Sequence, residues 1–497
     1  VSRILDAVRR HAALTPLRPA LRDEDGLLTY RSLATEIAHL AERLRALRPR
    51  ALALLADNGM TWALADLGAL AADIPIVPLP PFFSASQLAH ALRTAGVDLV
   101  LTDQPARIQQ ALQRPDLVAT PFYGNLFRLR LPSDAGPRCA LPAGTRKVTF
   151  TSGTTGEPKG VCLGYAEMEA VAESLCQASA ADAGDRHLSL LPLATLLENI
   201  GGLYTPLLAG ATACLPPLAA VGLRGSSTLD VGRMNEALHA WQATTAILVP
   251  QMLQALVAAG RMGVTLPKSL RYLAVGGAPV SAHLVDQAHA LYLPVYQNYG
   301  LSECASVVSA SGPDAQRAGS VGRPLPHVRL AFAADGEILV HGPRWRGYLG
   351  GEAADTTVVA TGDLGYLDEA GYLFLTGRKK NLFITAFGRN VAPEWVEGEL
   401  VAHPGIAQAV LFGEARPFNC AVIVPSAGAT HDAIDAAIDA ANQRLPDYAR
   451  VHAWLPADAP FTPAAGLSTP NGRLRRDAIR RHYADRIDAL YQPQMEH

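Results

Sequence analysis

Hydroxyl groups, glycines and a lysine are concentrated in one segment of the chain, residues 149–160, which reads TFTSGTTGEPKG. Glycines allow backbone N–H groups to converge on an anion, and hydroxyl groups donate further hydrogen bonds. Lys159, near the end of the segment, adds a compact positive charge. The segment predicts a polyphosphate site, with an ordinary polar surface loop as the alternative. It does not match the Walker A pattern, because Pro158 and Gly160 flank the lysine.

Three other positions carry side chains suited to nucleotide and metal binding. Residues 299–303 read YGLSE, in which Glu303 offers a hard oxygen ligand for Mg²⁺ and Tyr299 an aromatic face for a base. Asp363, within the sequence TGD, suits the two hydroxyls of a ribose as a charged acceptor. Each residue type also has a structural alternative, which is a solvated carboxylate for Glu303, a core tyrosine for Tyr299 and a turn former for Asp363.

Short apolar runs that alternate with helical patterns must position these segments. Runs bounded by Gly, Pro or Asp predict buried strands, and their alternation with helices predicts an α/β architecture. The runs are residues 51–55, 74–79, 98–101, 147–150, 246–249 and 272–275. From about Ser320 the pattern changes to short antiparallel strands joined by Asp-Gly and Ala-Gly turns. The polyphosphate segment therefore begins at the end of a buried strand.

The last part of the chain has a different organisation. The charged residues 378–381 interrupt the strands after Gly377 and predict a domain boundary. Residues 409–412 and 420–424 predict strands, and residues 433–445 predict a helix. We therefore expect a small α+β domain over residues 380–497, after a large domain over residues 1–379.

Charge and composition exclude several classes of protein. The chain has 497 residues, with 43 Lys plus Arg against 45 Asp plus Glu, so it carries no basic footprint for nucleic acid. Six scattered cysteines lack metal-ligand spacing and indicate a reducing compartment. Neither a signal peptide nor a run long enough to span a bilayer is evident. We expect a cytoplasmic protein without a transmembrane segment, and leave peripheral membrane contact open.

Residues 151–159 resemble the phosphate loop of the adenylate-forming superfamily, which includes acyl-CoA synthetases, adenylation domains of peptide synthetases and beetle luciferases. Six further segments resemble motifs of this superfamily, in its order along the chain. They are GGAP at 276–279, YGLSE at 299–303, GE at 336–337 with GY at 347–348, TGD at 361–363, GRKKNL at 377–382 and GRLRR at 472–476. The sequence is most similar to the fatty acyl-CoA synthetase branch.

The resemblance implies a fold and a set of ligands. The fold would be α/β, with a large multi-layered N-terminal domain of α/β subdomains plus a small β-barrel-like part, and a small mobile α+β C-terminal domain. The hinge would lie near Lys380. The ligands would be ATP, Mg²⁺, a small-molecule carboxylic acid and coenzyme A as co-substrate, with an acyl carrier protein as another possible acceptor.

The resemblance also implies a role for each matching residue. The catalytic residues would be Lys159, Glu303, Arg473 and Lys380, and Glu303 and Thr151 would hold the metal. The nucleotide would contact Thr151, Ser152, Gly153, Thr154, Thr155, Gly156, Gly277, Ala278, Pro279, Asn298, Tyr299, Gly300, Ser302, Asp363 and Arg378. The acid and thiol substrates would contact Thr195, Gly276, Gly277 and Gly388. Arg473 departs from the family pattern, in which a lysine is usual.

The implied reaction has two steps. The carboxylate of the acid first attacks the α-phosphate of ATP, which gives an acyl-adenylate and pyrophosphate. The small domain then rotates, and the loop 384–391 enters the site, where Gly388 leaves room for the narrow arm of a thiol.

Residues 191–199, LPLATLLEN, bear on the identity of the acid. They contain no Asp to pair with an ammonium group, which disfavours amino acids as substrates. They resemble the P-L-x-H-x-x-E of fatty acyl-CoA synthetases, with Thr195 in place of His. We therefore predict a medium- to long-chain or similarly apolar acid, with coenzyme A as acceptor. A carrier protein or an amine as acceptor, and a relative that binds nucleotide without turnover, are the alternatives.

Overall fold

The structure is a computed structural model, and it describes residues 2–132, 140–151, 158–225, 228–342, 345–351, 357–469 and 472–491. Within these ranges the strands form four sheets of three or more strands and two separate hairpins. No helix in the described part of the chain is both long and apolar enough to cross a lipid bilayer.

The first part of the chain builds a layered α/β unit. Its elements are α1 (Arg3–Leu14), β1 (Pro19–Arg22), β2 (Leu27–Thr29), α2 (Tyr30–Leu47), β3 (Leu52–Leu55), α3 (Met60–Ala72), β4 (Ile76–Pro78), α4 (Ala85–Thr94), β5 (Leu99–Thr102), α5 (Pro105–Leu112), β6 (Ala119–Tyr123), β7 (Leu126–Arg130), β8 (Lys147–Thr151) and β9 (Lys159–Leu163).

A seven-stranded sheet with the described order β6-β7-β5-β3-β4-β8-β9 forms the centre of this unit. The strands β5, β3, β4 and β8 run parallel to one another, whereas β7 is antiparallel to β5 and β9 is antiparallel to β8. Leu52 and Leu54 of β3 pack into one core, and Ala53 and Leu55 pack into another on the opposite face. Burial of both faces explains why these strands are continuous apolar runs in the sequence.

The middle of the chain forms a second α/β unit. Its elements are α6 (Tyr165–Ala178), β10 (Arg186–Leu188), α7 (Leu196–Glu198), a π-helical turn (Asn199–Tyr204), α8 (Thr205–Ala209), β11 (Thr212–Cys214), β12 (Leu223–Arg224), β13 (Thr228–Leu229), α9 (Val231–Ala240), β14 (Thr245–Leu248), α10 (Pro250–Arg261), β15 (Tyr272–Val275), α11 (Ala282–Ala290), β16 (Val295–Leu301), a 3₁₀ turn (Ser302–Cys304), β17 (Ser306–Ala310) and β18 (Arg323–Pro324).

The second unit contains a nine-stranded sheet with the described order β18-β17-β16-β15-β14-β10-β11-β1-β2. The strands β11, β10, β14, β15 and β16 are mutually parallel. Because β1 and β2 come from the start of the chain, this sheet ties the two units together. The carboxyl ends of β14, β15 and β16 meet at one edge, which is where parallel sheets place ligand-binding loops.

A third sheet is antiparallel and consists, within the described residues, of β19 (Arg329–Phe332), β20 (Glu337–His341), β21 (Val358–Leu367) and β22 (Leu373–Arg378) in sequential order. This meander occupies the place of the expected β-barrel-like part. The register pairs Asp363 of β21 with Arg378 of β22. Two of the predicted site residues are therefore direct cross-strand neighbours.

The chain after Arg378 forms a smaller α+β unit. Its elements are β23 (Phe383–Ile384), β24 (Asn390–Val391), α12 (Pro393–Val401), β25 (Ile406–Phe412), β26 (Asn419–Pro425), α13 (His431–Asn442), a 3₁₀ turn (Asp447–Ala449), β27 (Val451–Pro456), α14 (Arg476–His482) and α15 (Ala484–Ala489). The strands β25, β26 and β27 form its sheet, with α12 and α13 packed on one face and α14 and α15 on the other.

Candidate active site

A cleft of about 2650 Å³ lies between the carboxyl ends of the strands of the N-terminal units and the C-terminal unit. Most of the predicted site residues line it, although they are widely separated in the sequence. They are Thr151, Lys159, Thr195, Gly276, Gly277, Ala278, Pro279, Asn298, Tyr299, Gly300, Ser302, Glu303, Asp363, Arg378, Lys380 and Arg473. Gly388 is not among the residues that line the cleft. Ser152, Gly153, Thr154, Thr155 and Gly156 fall outside the described residues.

Asp363 is the centre of one polar group in the cleft. The hydroxyl of Tyr299 donates a hydrogen bond of 2.8 Å to its Oδ2, and Nε of Arg378 lies 2.7 Å from its Oδ1. Burial and the negative charge of Asp363 both raise the pKa of Tyr299, which therefore remains a hydrogen-bond donor. The Asp363 carboxylate is 5% exposed, so its position is fixed by these two partners.

Glu337 holds the turn that presents Asp363. Its Oε1 accepts a hydrogen bond of 2.9 Å from the backbone N–H of Gly362, and its Oε2 lies 3.0 Å from Nζ of Lys379. The backbone N–H of Lys379 also donates to the carbonyl of Gly362. The GE and TGD segments are therefore in direct contact, since the Glu337 carboxylate supports the turn that carries Asp363.

Lys159 and Glu303 are joined through the side chain of Tyr348. The Tyr348 hydroxyl donates a hydrogen bond of 2.7 Å to Oε1 of Glu303, and Nζ of Lys159 lies 5.5 Å from the centre of the Tyr348 ring. Burial, followed by this contact with Glu303, raises the pKa of Tyr348. The aromatic ring thus positions a cation and a carboxylate on one side of the cleft.

Arg473 enters the cleft from the C-terminal unit and retains an exposed surface there. The cleft walls and the positive charge of Arg378 lower its pKa, whereas Asp363 and Glu303 act in the opposite direction. Lys380 lies near Arg378 and Arg473. Partial burial, followed by the positive charges of these two arginines, lowers the pKa of Lys380. Three cations are therefore close together in a site with two carboxylates, an arrangement suited to a ligand with several negative charges.

Glycines bring the backbone close to the base of the cleft. A side chain on Gly300 would place its Cβ 1.7 Å from the carbonyl oxygen of Ser306, so no other residue fits there. Gly277 has a φ of 84°, a conformation in the left-handed region that glycine adopts without strain. These two positions leave a narrow backbone-lined slot at the ends of β15 and β16.

The donor set is compatible with Mg²⁺ bound together with a polyphosphate. Glu303 supplies a carboxylate, and Thr151 supplies a hydroxyl at the end of β8, where it donates to the carbonyl of Lys159 at 3.4 Å. No group of three or more His, Cys, Asp or Glu residues able to hold a metal occurs among the described residues. Such a site fits an ion that takes most of its ligands from phosphates and water.

Thr195 lines the cleft, whereas Gly388 is not among its lining residues. Thr195 precedes α7 on the cleft wall, and its hydroxyl donates a hydrogen bond of 2.7 Å to the carbonyl of Pro192. Gly388 lies in the turn between β23 and β24 with a φ of 72°, where nothing lies within 4 Å of a hypothetical Cβ. The proposed thiol contact of Gly388 therefore needs a different arrangement of the C-terminal unit.

Residues 8–349 match the sequence profile of a family described as AMP-binding enzyme, and residues 380–495 match that of the AMP-binding enzyme C-terminal domain. The chain belongs to the AMP-binding enzyme family. The predicted membership of the adenylate-forming superfamily is thereby confirmed, and so is the prediction that the chain is an enzyme.

Individual relatives of this AMP-binding enzyme are named as CoA ligases. The chain is 29% identical to the long-chain-fatty-acid–CoA ligase FadD15 of Mycobacterium bovis, over 86% of each protein. It is 31% identical to the indoleacetate–CoA ligase of Aromatoleum aromaticum, over 86% of this chain and 89% of the relative. The crystal structure of the anthranilate CoA ligase AuaEII with anthranoyl-AMP superposes with a TM-score of 0.81 at 19% identity, over 98% of both chains. This superposition confirms the predicted fold class.

Tyr348 is the site residue of this AMP-binding enzyme to which the sequence assigns no role. The GY segment at 347–348 resembles a motif of the superfamily, and this resemblance is the feature of the sequence that points to Tyr348. The sequence does not show that the Tyr348 side chain contacts both Lys159 and Glu303.

Proposed function

We propose that this AMP-binding enzyme joins an apolar carboxylic acid to coenzyme A through an acyl-adenylate, with ATP and Mg²⁺. The observation that carries the proposal is the meeting of Lys159, Glu303 and Arg473 in the cleft that also contains the pair Asp363 and Arg378. A nucleotide, a metal ion and an anionic acid are the ligands that this combination of charges accommodates.

In the first step, a carboxylate oxygen forms a bond to the α-phosphorus of ATP. The bond between that phosphorus and pyrophosphate breaks at the same centre, and pyrophosphate leaves with the electron pair. Lys159 and Arg473 neutralise the charge that develops on the phosphate oxygens, an interaction that gains strength in the transition state. Glu303 and Thr151 would hold Mg²⁺, which when bound would supply further charge neutralisation on the phosphates.

The nucleotide is oriented by its ribose. Asp363 accepts hydrogen bonds from the ribose hydroxyls, while Tyr299 and Arg378 hold the carboxylate in position. The slot at Gly276, Gly277 and Gly300 takes the base, because its walls are backbone with little side-chain bulk. Holding ATP at two points aligns the α-phosphorus with the acid.

In the second step, the thiol of coenzyme A attacks the carbonyl carbon of the acyl-adenylate, and AMP leaves. We assign the two domains to residues 1–379 and 380–497, with the hinge at Lys380. Rotation about this hinge withdraws Arg473 and brings the turn with Gly388 to the cleft. Support comes from the present arrangement, in which Arg473 lines the cleft and Gly388 does not.

The acid is apolar in this proposal. The cleft near Thr195 is walled by Leu191, Leu196 and Leu197, and no acidic side chain from residues 191–199 lines it. Names of the relatives include a fatty acid, indoleacetate and anthranilate, so both chain-like and aryl acids belong in a substrate panel. The sequence favours a medium- to long-chain acid among these.

Pyrophosphate release tests the first step. The purified enzyme is incubated with ATP, Mg²⁺ and one acid at a time from a panel of linear fatty acids, benzoic acids and arylacetic acids. We expect release that depends on the acid. If no acid elicits release, the chain binds nucleotide without turnover and the proposal fails.

The acceptor is tested next with an acid that is active in the first assay. Coenzyme A, a loaded acyl carrier protein and a simple amine are supplied in parallel, and products are identified by mass spectrometry. We expect the acyl-CoA thioester. An acyl-carrier-protein thioester or an amide, in place of acyl-CoA, would assign the enzyme to one of the alternative ligase classes.

A further inference from the structure

The segment that carries Tyr348 lies alongside β9, the strand that begins at the end of the polyphosphate segment. The backbone N–H of Arg346 donates a hydrogen bond of 2.8 Å to the carbonyl of Cys162. The backbone N–H of Leu349 donates a second one, also of 2.8 Å, to the carbonyl of Gly160. The backbone of Tyr348 is therefore held against β9 on both sides of the residue.

An ion pair ties the same segment to the helix α6. Nη2 of Arg346 lies 3.1 Å from Oε1 of Glu167, whose side chain is 5% exposed. A Cβ on Gly164 would lie 2.6 Å from Oε2 of Glu167 and 2.9 Å from Nη2 of Arg346, so the glycine leaves the space that this pair occupies. The side chain of Tyr348 thus projects into the cleft from a backbone that is fixed by two kinds of contact.

The hydroxyl of Tyr348 engages only one oxygen of the Glu303 carboxylate. It donates its hydrogen bond of 2.7 Å to Oε1, and in the described part of the chain no group donates a hydrogen bond to Oε2. Glu303 lines the cleft, so Oε2 is left for a ligand there. Carboxylates that ligate a metal ion commonly accept a hydrogen bond from a neighbouring group, which orients them.

The ring of Tyr348 makes a separate contact with Lys159. Nζ of Lys159 lies 5.5 Å from the ring centre, within the range of a cation–π interaction. The ring of Trp345 packs edge-on against the Tyr348 ring, with 4.7 Å between the ring centres and an angle of 79° between the planes. Because the hydroxyl acts on Glu303 and the ring acts on Lys159, substitutions can remove the two contacts one at a time.

We propose that Tyr348 is a positioning residue that couples the binding of Mg²⁺ to the binding of the ATP phosphates. Its hydroxyl orients the Glu303 carboxylate for the metal ion, and its ring holds Lys159, the phosphate contact, on the same side of the cleft. This inference rests on the proposed function and adds a residue that touches no reacting atom. One side chain on a fixed backbone presents both charges together, so a Mg²⁺–ATP complex meets a preformed pair.

Equilibrium binding of nucleotide tests the proposal without catalytic turnover. The ligand is an ATP analogue with a methylene group between the α- and β-phosphorus atoms, and its Kd is measured by calorimetry with Mg²⁺ and with EDTA. The ratio of the Kd in EDTA to the Kd in Mg²⁺ is the Mg²⁺ enhancement. Tyr348→Phe keeps the ring and removes the hydroxyl, so the Mg²⁺ enhancement should fall about tenfold while the Kd in EDTA stays unchanged.

The variant Tyr348→Leu removes the ring as well. The Mg²⁺ enhancement should fall as in Tyr348→Phe, and the Kd in EDTA should in addition rise about two- to fivefold, because the cation–π contact with Lys159 is lost. The matched control is Tyr366→Phe, since Tyr366 is an exposed tyrosine that stacks on Phe374 and is not among the residues that line the cleft. This control should keep both wild-type values.

A double-mutant cycle separates positioning from general support of the fold. In a Glu303→Gln background, Tyr348→Phe should lower the Mg²⁺ enhancement by less than about twofold, because the hydroxyl acts through that carboxylate. A tenfold fall in this background would overturn the proposal. So would a wild-type Mg²⁺ enhancement in Tyr348→Phe, or a Kd that rises by the same factor with and without Mg²⁺.

The outcomes also distinguish this inference from the proposed function. Nucleotide binding by the wild type that does not respond to Mg²⁺ would overturn the inference, and acid-dependent pyrophosphate release would still support the proposed function. The expected changes of the Mg²⁺ enhancement, without pyrophosphate release from any acid, would support the inference and refute the proposed function.

Discussion

At the scale of single residues, Lys159 and Glu303 share one neighbour, Tyr348. The Tyr348 ring contacts Lys159, and the Tyr348 hydroxyl donates a hydrogen bond to Glu303. Lys159→Ala and Glu303→Gln should each lower the rate of adenylate formation by about 10²–10³, the usual loss for one charged transition-state contact. Pyrophosphate release under saturating ATP measures this. Lys268→Ala and Glu369→Gln, which alter exposed residues of the same types, are the controls. Near-normal release in both site variants would refute the assignment.

As Thr195 differs from the usual histidine, Arg473 differs in type from the lysine that is usual in the family pattern. Only five of the 43 basic residues are lysines, and none follows Lys380, so a lysine in a shifted register cannot replace it. Its position near Asp363 and Glu303 supports a role in the first step. Arg473→Ala should lower adenylate formation far more than the affinity for ATP, whereas Arg473→Lys should retain or raise the rate.

Single-turnover adenylate formation and equilibrium binding of a nucleotide analogue distinguish these effects for Arg473. The ammonium group of lysine is compact, whereas the guanidinium group of arginine is planar and directs its N–H donors differently. The Arg473→Lys variant therefore also tests the geometry of the contact. Wild-type adenylate formation by Arg473→Ala would mean that the residue has no catalytic role.

At this scale, the sequence predicts which residues belong to the candidate site, but it does not predict which of them are bonded to one another. Motif order along the chain indicated Asp363, Arg378 and Tyr299 as nucleotide contacts, whereas their mutual bonds depend on the register of β21 against β22. A sequence shows which donors exist, and only the fold shows which are already used.

At the scale of elements, the buried parallel strands were predictable because burial of both faces leaves an unbroken apolar run. The predicted strand at 272–275 coincides with β15, and that at 147–150 lies within β8. The π-helical turn (Asn199–Tyr204) was not predictable, since it depends on Gly201 and Gly202 packing against Ile247, Glu198 and His187.

A buried ion pair joins three elements next to this turn. Nζ of Lys147, at the start of β8, lies 2.7 Å from Oδ1 of Asp66 in α3, and it also contacts Asn199 and Tyr204. Lys147→Met leaves the Asp66 carboxylate buried without its cation and should lower the free energy of unfolding by about 3–5 kcal/mol. Denaturant unfolding at neutral pH measures this.

Two further variants test this interpretation of Lys147. Arg9→Met, which removes an exposed ion pair with Asp6, should change the free energy of unfolding by less than about 1 kcal/mol. Adding Asp66→Leu to Lys147→Met should recover part of the loss, because no buried charge then remains. A change below about 1 kcal/mol in Lys147→Met would show that the pair does not hold these elements together.

At the scale of the whole molecule, the orientation of the C-terminal unit was beyond sequence prediction. Its own core is formed by residues such as Val396, Leu411 and Ile434, which fix its fold and not its orientation. Contacts across to the N-terminal units include the amide of Gln254 at the carbonyl of Val401, and the cleft position of Arg473. Rotation about the proposed hinge would exchange these contacts for others.

Lys380 follows the last strand of the antiparallel meander, and within the described residues its backbone N–H donates no hydrogen bond to another backbone group. Lys380→Pro therefore restricts φ without breaking such a bond. We expect adenylate formation to persist and thioester formation to collapse, because the first step uses the present orientation and the second needs rotation. Pyrophosphate release and acyl-CoA formation, measured separately, give the two rates.

Lys380→Ala, which keeps the backbone free, should preserve transfer better than the proline variant. Equal losses in both steps for Lys380→Pro would mean that Lys380 contacts ATP or supports the fold, and that rotation occurs elsewhere.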